Sequence, residues 1–190
     1  MSEEFVAAIA ALPKLCPHFH LSLQSGCNET LKRMNRKYTA EEYYEVCVRL
    51  RKYFEEPALT TDVIVGFAGE TEEEFAECKA FLEKIEFFET HVFKFSIRKG
   101  TRAAKMENQV SDQIKTKRSN ELLALHAENS VKYLEKHFEK DLEVLVEEEM
   151  SIDGENYFVG HTKEYIRVAV KSEEDLTKKF VVVKAKGILK

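Results

Sequence analysis

Two folds in series are predicted for this 190-residue chain: an α/β layer with parallel strands, then a small antiparallel all-β barrel. The first observation is the stretch 60–75, where a β-branched apolar run broken by Asp62 leads through Gly66 and Gly69 into a helix start. A strand feeding a helix through a glycine turn belongs to a parallel unit with both faces covered, whose ligands sit at the strand's carboxyl end. The second observation is that helix and strand patterns alternate three times before residue 111, which implies parallel neighbours joined by right-handed crossovers. The third is that the helical period stops after Asp141. Short β-rich runs at 142–147, 157–160, 165–170 and 180–185, separated by Asp153-Gly154 and polar clusters, read as an antiparallel barrel or sandwich. The expected division is 1–127 and 128–190.

Residues 3–12 carry Phe5, Ala8, Ile9 and Leu12 on one helical stripe, ended by Pro13 and Pro17. Residues 19–24 alternate, with Phe19, Leu21 and Leu23 facing one way and His20, Ser22 and Gln24 the other. In an α/β barrel the apolar set packs on the helices and the polar set faces the interior; a half-exposed edge strand has the same pattern. Residues 30–37 set Leu31 and Met34 among Lys32, Arg33, Arg36 and Lys37. Thr39 with Glu42, and Thr71 with Glu74, form capping boxes that cover N–H groups the first helical turn leaves orphaned. The helices they start carry Tyr43, Cys47, Leu50 and Phe54, then Phe75, Cys78, Leu82 and Ile85, so Cys47 and Cys78 read as core thiols. A third strand at 91–96 is followed by Arg98, Lys99 and Arg102. Ser111 caps a long amphipathic helix carrying Ile114, Leu122 and Leu125 and running on to Phe138.

The 29 lysines and arginines against 34 acidic residues give a formal charge of −5, which does not announce a nucleic-acid partner. Locally, Lys94, Arg98, Lys99, Arg102, Lys105, Lys115, Lys117 and Arg118 face only Glu107 and Asp112, so a basic patch on an acidic surface is expected. No apolar run approaches the ~18 residues of a membrane span, and the acidic opening Met1-Ser2-Glu3-Glu4 is unlike a signal peptide. Cys16, Cys27, Cys47 and Cys78 include no C-x-x-C pair, so no metal site and no disulfide framework is indicated, and a reduced, cytoplasmic setting is the default. A carboxylate in an apolar strand is costly to bury alone, which makes Asp62 a site candidate unless it only binds local backbone donors. His20 and His91 read as hydrogen-bonded core histidines rather than ligands.

These residues also add up to a family pattern. His18-Phe19-His20-Leu21-Ser22-Leu23-Gln24-Ser25-Gly26, with Leu31-Lys32-Arg33-Met34-Asn35-Arg36-Lys37-Tyr38-Thr39 after it, resembles the radical S-adenosylmethionine tRNA methylthiotransferases. So do Thr61-Asp62-Val63-Ile64-Val65-Gly66-Phe67-Ala68-Gly69-Glu70-Thr71 and the stretch 91–104 opening His91-Val92-Phe93-Lys94-Phe95-Ser96. The terminal β domain resembles the TRAM module, a small RNA-binding barrel. The wording is most similar to the branch acting on threonylcarbamoyladenosine beside the anticodon, with the isopentenyladenosine branch as the near alternative. Ala68, Phe95 and Ile97 depart from the family's usual proline, tyrosine and proline.

The resemblance implies a C-terminal part of such an enzyme: half of a β/α barrel followed by the TRAM barrel. It implies S-adenosylmethionine and two 4Fe–4S clusters in the parent enzyme, with the cluster cysteines upstream, so the chain alone is expected to be inactive and to hold no catalytic residue or metal ligand. Strand phase and family position assign Ser22, Gln24, Asp62, Ser96 and Arg98 to cofactor contacts, although Arg98 also reads as a solvated loop charge. Arg33, Arg36, Lys37, Arg102, Lys163, Tyr165 and Arg167 are the expected RNA contacts, and tRNA the expected partner. From Asp141 onward, eleven acids against eight bases give thin electrostatics for a phosphate backbone. No membrane partner is expected; self-association through an unpaired barrel edge is. The competing class is an RNA-binding protein whose α/β domain holds a small ligand unaided.

Overall fold

A computed structural model describes residues 1–189. Its first half is a parallel sheet of β1 (His18–His20), β2 (Ala58–Val65) and β3 (Glu89–Lys94), ordered β1-β2-β3. Helices α1 (Glu3–Ala10), α2 (Asn28–Arg33), α3 (Ala40–Tyr53), α4 (Glu72–Ile85) and α5 (Asp112–Glu135) accompany it, with α2 and α3 carrying the crossover from β1 to β2 and α4 that from β2 to β3. The second half is an antiparallel sheet of β4 (Asp141–Ile152), β5 (Glu155–His161), β6 (Arg167–Val170) and β7 (Phe180–Lys184), ordered β6-β5-β4-β7. The expected class, a partial parallel β/α barrel followed by a small antiparallel β unit, is the observed one.

Both capping boxes form: Thr39 Oγ1 accepts from Glu42 N while Glu42 returns to Thr39 N, and Thr71 and Glu74 do the same. Starting where they do, α3 and α4 turn Tyr43, Cys47, Leu50, Phe75, Cys78, Leu82 and Ile85 onto one side of the sheet, where they meet Leu23, Leu59, Val63 and Val65. Cys47 and Cys78 are core thiols as expected, and burial pushes each up to about 12.

Two helices depart from the expected phase. In α1 only Val6 is buried, and Phe5 and Leu12 face water. Eight residues make too short a helix for apolar spacing to fix which of two stripes docks on α3. In α5 the buried face runs through Lys115, Arg118, Ser119, Leu122, Leu125, Asn129 and Tyr133, leaving Ile114 exposed. The cause lies under its first turns. Gly66, at φ +70°, has no Cβ where the Lys115 stem passes: an added Cβ would stand 2.3 Å from Lys115 Cγ. The Glu70 carboxylate beneath accepts from Gly66 N at 2.7 Å and from Arg118 Nη1 at 2.6 Å.

Lower down, α5 supplies Tyr133 to a small cluster with Ala58, Phe88 and Ile166, which joins the parallel layer to the antiparallel sheet. Within that sheet β4 serves two partners. Residues 141–145 pair with β7 and 145–152 with β5, with a register shift between Val146 and Glu148. Gly160 lies opposite Val146, and a Cβ there would sit 2.0 Å from Leu145 O, so only glycine lets the strands close.

Candidate functional site: the open face of the parallel sheet

Strand phase divides the parallel sheet into a dry side and a wet one. Phe19, Leu21 and Leu23 pack toward α3 and α4, while His20 and Ser22 stand on the opposite, exposed face. Register adds the rest: His20 lies beside Thr60, and Asp62 beside His91. His20 Nε2 is 3.2 Å from Asp62 Oδ2, Ser22 Oγ donates to the same oxygen at 2.9 Å, and His20 Nδ1 is 3.0 Å from Thr60 Oγ1. The His20 and His91 rings stand 5.8 Å apart. His20, Asp62 and His91 thus gather on one face, and both histidines are exposed rather than in the core. The expectation that they were core histidines is corrected here. The alternation of His20 with Ser22 and Gln24 was the available signal for His20, and among the described residues no helix covers that side.

β1 is shorter than its apolar alternation suggested. Thr61 Oγ1 donates to Leu21 O at 2.6 Å and accepts from Leu23 N at 3.1 Å, and Tyr43 Oη also donates to Leu21 O. These side chains take backbone groups that a regular ladder would use. The chain rejoins β2 at a single bridge, Gln24 with Val63. Gln24 is there in the left-handed region at φ 70°, held by Gln24 N to Asp62 O and Ile64 N to Gln24 O. Its side-chain amide makes no hydrogen bond among the described residues, beside the carboxyl end of β2.

Ser96 and Arg98 follow β3 in an exposed turn, where Arg98 O accepts from Thr101 and its guanidinium meets no partner among the described residues. Ser22, Gln24 and Asp62 therefore come together, with Ser96 and Arg98 on the loop leaving the neighbouring strand.

The basic residues are more dispersed than the sequence suggested. Arg33 is gripped by both carboxylate oxygens of Glu74, which holds that carboxyl below its usual range, so Arg33 is not part of a free basic surface. Lys115 and Arg118 are buried under α5 and leave the expected patch. Arg36, Lys37, Arg98, Lys99 and Arg102 remain exposed. In the second sheet Lys163 pairs with Glu143 at 3.0 Å, and Arg167 reaches Met150 Sδ. Tyr165 lies between His161 and His18, stacked at 4.3 and 5.3 Å between ring centroids. Of the cysteines, Cys16 is exposed and Cys27, Cys47 and Cys78 are buried, with no three of them gathered among the described residues. No helix among them is long and apolar enough to cross a membrane.

Residues 1–82 match the family described as the radical SAM superfamily. The threonylcarbamoyladenosine tRNA methylthiotransferase MtaB of Bacillus subtilis (strain 168) is 41% identical over 185 residues, 97% of this chain and 41% of that protein. A tRNA-2-methylthio-N(6)-dimethylallyladenosine synthase of Alkaliphilus oremlandii (strain OhILAs) is 40% identical over 184 residues, 97% of this chain and 39% of that protein. The solved structure of the radical SAM enzyme coproporphyrinogen III oxidase (HemN) from Escherichia coli superposes with a TM-score of 0.57 at 18% identity, over 68% of this chain and 30% of that one. The last of these is a likeness of fold. The chain spans about two fifths of the length of the curated relatives it matches. Through 97% of its length the chain is thus similar, at 40–41% identity, to tRNA methylthiotransferases, and its residues 1–82 carry the radical SAM superfamily match.

Proposed function

We propose that this chain is part of an enzyme that adds a methylthio group to C2 of N6-threonylcarbamoyladenosine beside the tRNA anticodon, by radical S-adenosylmethionine chemistry. The observation that carries this reading is the 41% identity to the Bacillus subtilis enzyme of that specificity across 97% of the chain. A second reading, with dimethylallyladenosine as substrate, is favoured by the 40% identity to the synthase of that name. Mass spectrometry of tRNA nucleosides from cells lacking this reading frame separates them. The first reading expects loss of the methylthio form of threonylcarbamoyladenosine; loss of the dimethylallyl form instead selects the second, and loss of neither overturns both.

The cysteines do not fit an iron–sulfur cluster, which is held by several thiolates converging on one point. Three of the four are buried apart from any such group. The cluster, and an auxiliary one with it, would belong to the rest of such an enzyme, and the chain alone is then inactive. Anaerobic reconstitution of this chain with iron and sulfide is expected to leave no stable cluster.

For S-adenosylmethionine the polar edge is a better match. Ser22, Gln24 and Asp62 offer acceptors and an amide to its ammonium and ribose hydroxyls, and Ser96 and Arg98 suit its carboxylate. When bound, that cofactor supplies the radical; these residues orient it. We assign tRNA contact to the exposed Arg36, Lys37 and Arg102, with Lys163, Tyr165 and Arg167 on a TRAM-like second domain and the cytoplasm as the setting. The edges of the parallel sheet, at β1 and β3, offer unpaired backbone for self-association. Sedimentation showing only monomer at high concentration would count against that last assignment.

A further inference from the structure

We infer that His20, Asp62 and His91 form a binding site for one divalent transition-metal ion on the open face of the parallel sheet. Each offers a ligand atom, and these atoms all lie within 4.8 Å of one another. Bonds of about 2.0–2.1 Å in tetrahedral geometry set ligand atoms roughly 3.3 Å apart. His20 Nε2 and Asp62 Oδ2, at 3.2 Å, already have that spacing. His91 is exposed, so rotation of its ring closes the remaining gap.

The surrounding hydrogen bonds argue the same way. In the tautomer whose Nδ1–H is donated to Thr60 Oγ1, 3.0 Å away, His20 Nε2 keeps its lone pair. That lone pair faces the Asp62 carboxylate, and Ser22 Oγ, donating to Asp62 at 2.9 Å, braces it from the other side. In that tautomer two acceptors held this close need a cation between them, either a proton or a metal ion. A proton needs only these two. The third ligand, His91, comes from the register partner of Asp62 and gives a metal ion a reason to be preferred. Ligands held in place by an outer layer of hydrogen bonds are typical of metal sites, and Thr60 and Ser22 provide that layer. Two imidazoles with one carboxylate suit Zn²⁺, Co²⁺ or Ni²⁺, whereas Mg²⁺ and Ca²⁺ want oxygen alone.

The site shares Asp62 and Ser22 with the proposed cofactor contacts but does not rest on that reading. Titration of the intact chain with ZnCl₂ by calorimetry, without S-adenosylmethionine, tests it. One Zn²⁺ per chain is expected, no heat with MgCl₂, and a visible absorption band with Co²⁺. His91→Ala and His20→Ala, both at exposed positions, should weaken Zn²⁺ binding by at least about 10-fold, and Thr60→Val by about 10–100-fold. Cys16→Ser and His161→Ala should leave it unchanged, and circular dichroism should confirm that every variant is folded. No zinc binding, or binding that survives both histidine replacements, overturns the inference. The first result would leave His20 and Asp62 as a proton-bridged pair; the second would put the ion elsewhere. Because the titration contains no S-adenosylmethionine, its failure leaves the proposed function standing. Failure of the nucleoside analysis would likewise leave the metal site standing.

Discussion

In the parallel sheet, Leu59, Val63 and Val65 of β2 lie beneath α3 and α4, and the main core also takes in Leu122 and Leu125 of α5. In the antiparallel sheet only Leu142, Val144, Val146 and Phe158 form the buried cluster, while Phe180 and Val182 of β7 remain 68% and 67% exposed. The polar interactions divide the same way. The parallel half buries its ion pair, Arg118 with Glu70, and both side chains are almost wholly out of solvent. The antiparallel half uses surface pairs, Lys163 with Glu143 and Lys171 with Glu155, and exposed pairs contribute little. One half is thus held by covered apolar area and one deep polar pin. The other is a thin sheet that depends on β4 being shared between two partners and on the Tyr133 cluster at its base. The second half should open first, with the parallel layer surviving it.

The deepest pin is where that comparison is most exposed to test. Arg118→Met strands the Glu70 carboxylate, which burial already pushes up in pKa against the pull of Gly66 N–H and Arg118. Removing one member of a buried pair costs about 3–5 kcal/mol, so the urea midpoint of the parallel half should fall sharply. A loss below about 1 kcal/mol would mean that apolar area alone holds this layer. Next in size is a matched pair. Leu59→Ala should cost about 2–5 kcal/mol, and Leu142→Ala, at a thinner site, should fall at or below the lower end of that range. Amide exchange should localise the second effect to β4, β5 and β7. Equal losses spread over the whole chain would show one cooperative unit and erase the contrast.

Much of the parallel half was legible in advance because its signals are local. Capping boxes fixed the starts of α3 and α4, period-two spacing placed His20 and Ser22 on one face, and strand phase with family position set Asp62 beside Ser22. What was not legible depends on contacts far apart in sequence. The burial of Lys115 and Arg118 needs Gly66 and Glu70 beneath them, some 50 residues earlier, and nothing in the helical period of α5 reports that. The grip of Glu74 on Arg33 is of the same kind, since each residue read alone is an ordinary surface charge. The exposure of His20 and His91 follows from a face left without helices, which no single strand encodes.

The junction inside the second half gives a smaller effect. Gly160→Ala drives a Cβ into the carbonyl of Leu145, so β4 and β5 must separate, at about 1–3 kcal/mol. Faster exchange should stay within the antiparallel sheet. If the parallel strands lose protection too, the two halves are more tightly coupled than their cores suggest.

The smallest effect is a pH dependence, and it probes the parallel half at its margins. His126 Nδ1 accepts from Thr90 N at 3.3 Å, tying α5 to β3, and burial pushes its pKa down. His18, stacked on Tyr165, is likewise pushed down by burial. Both are favoured neutral in the folded chain, so their contribution is complete above the ordinary imidazole value of 6.5 and is lost as pH falls through their lowered values. Glu74 also has a lowered pKa, through Arg33 first, but its contribution is lost only below the ordinary carboxylate value of 4.5. The two windows are separable. Between about pH 7.5 and pH 5.5 the urea midpoint should drop slightly, and His126→Gln, which cannot be protonated, should flatten that slope. Exchange in this window should quicken at Thr90 and along the facing turn of α5 while β4 and β5 stay protected. Softening of the antiparallel strands instead would place the pH-sensitive contact at the His18–Tyr165 seam.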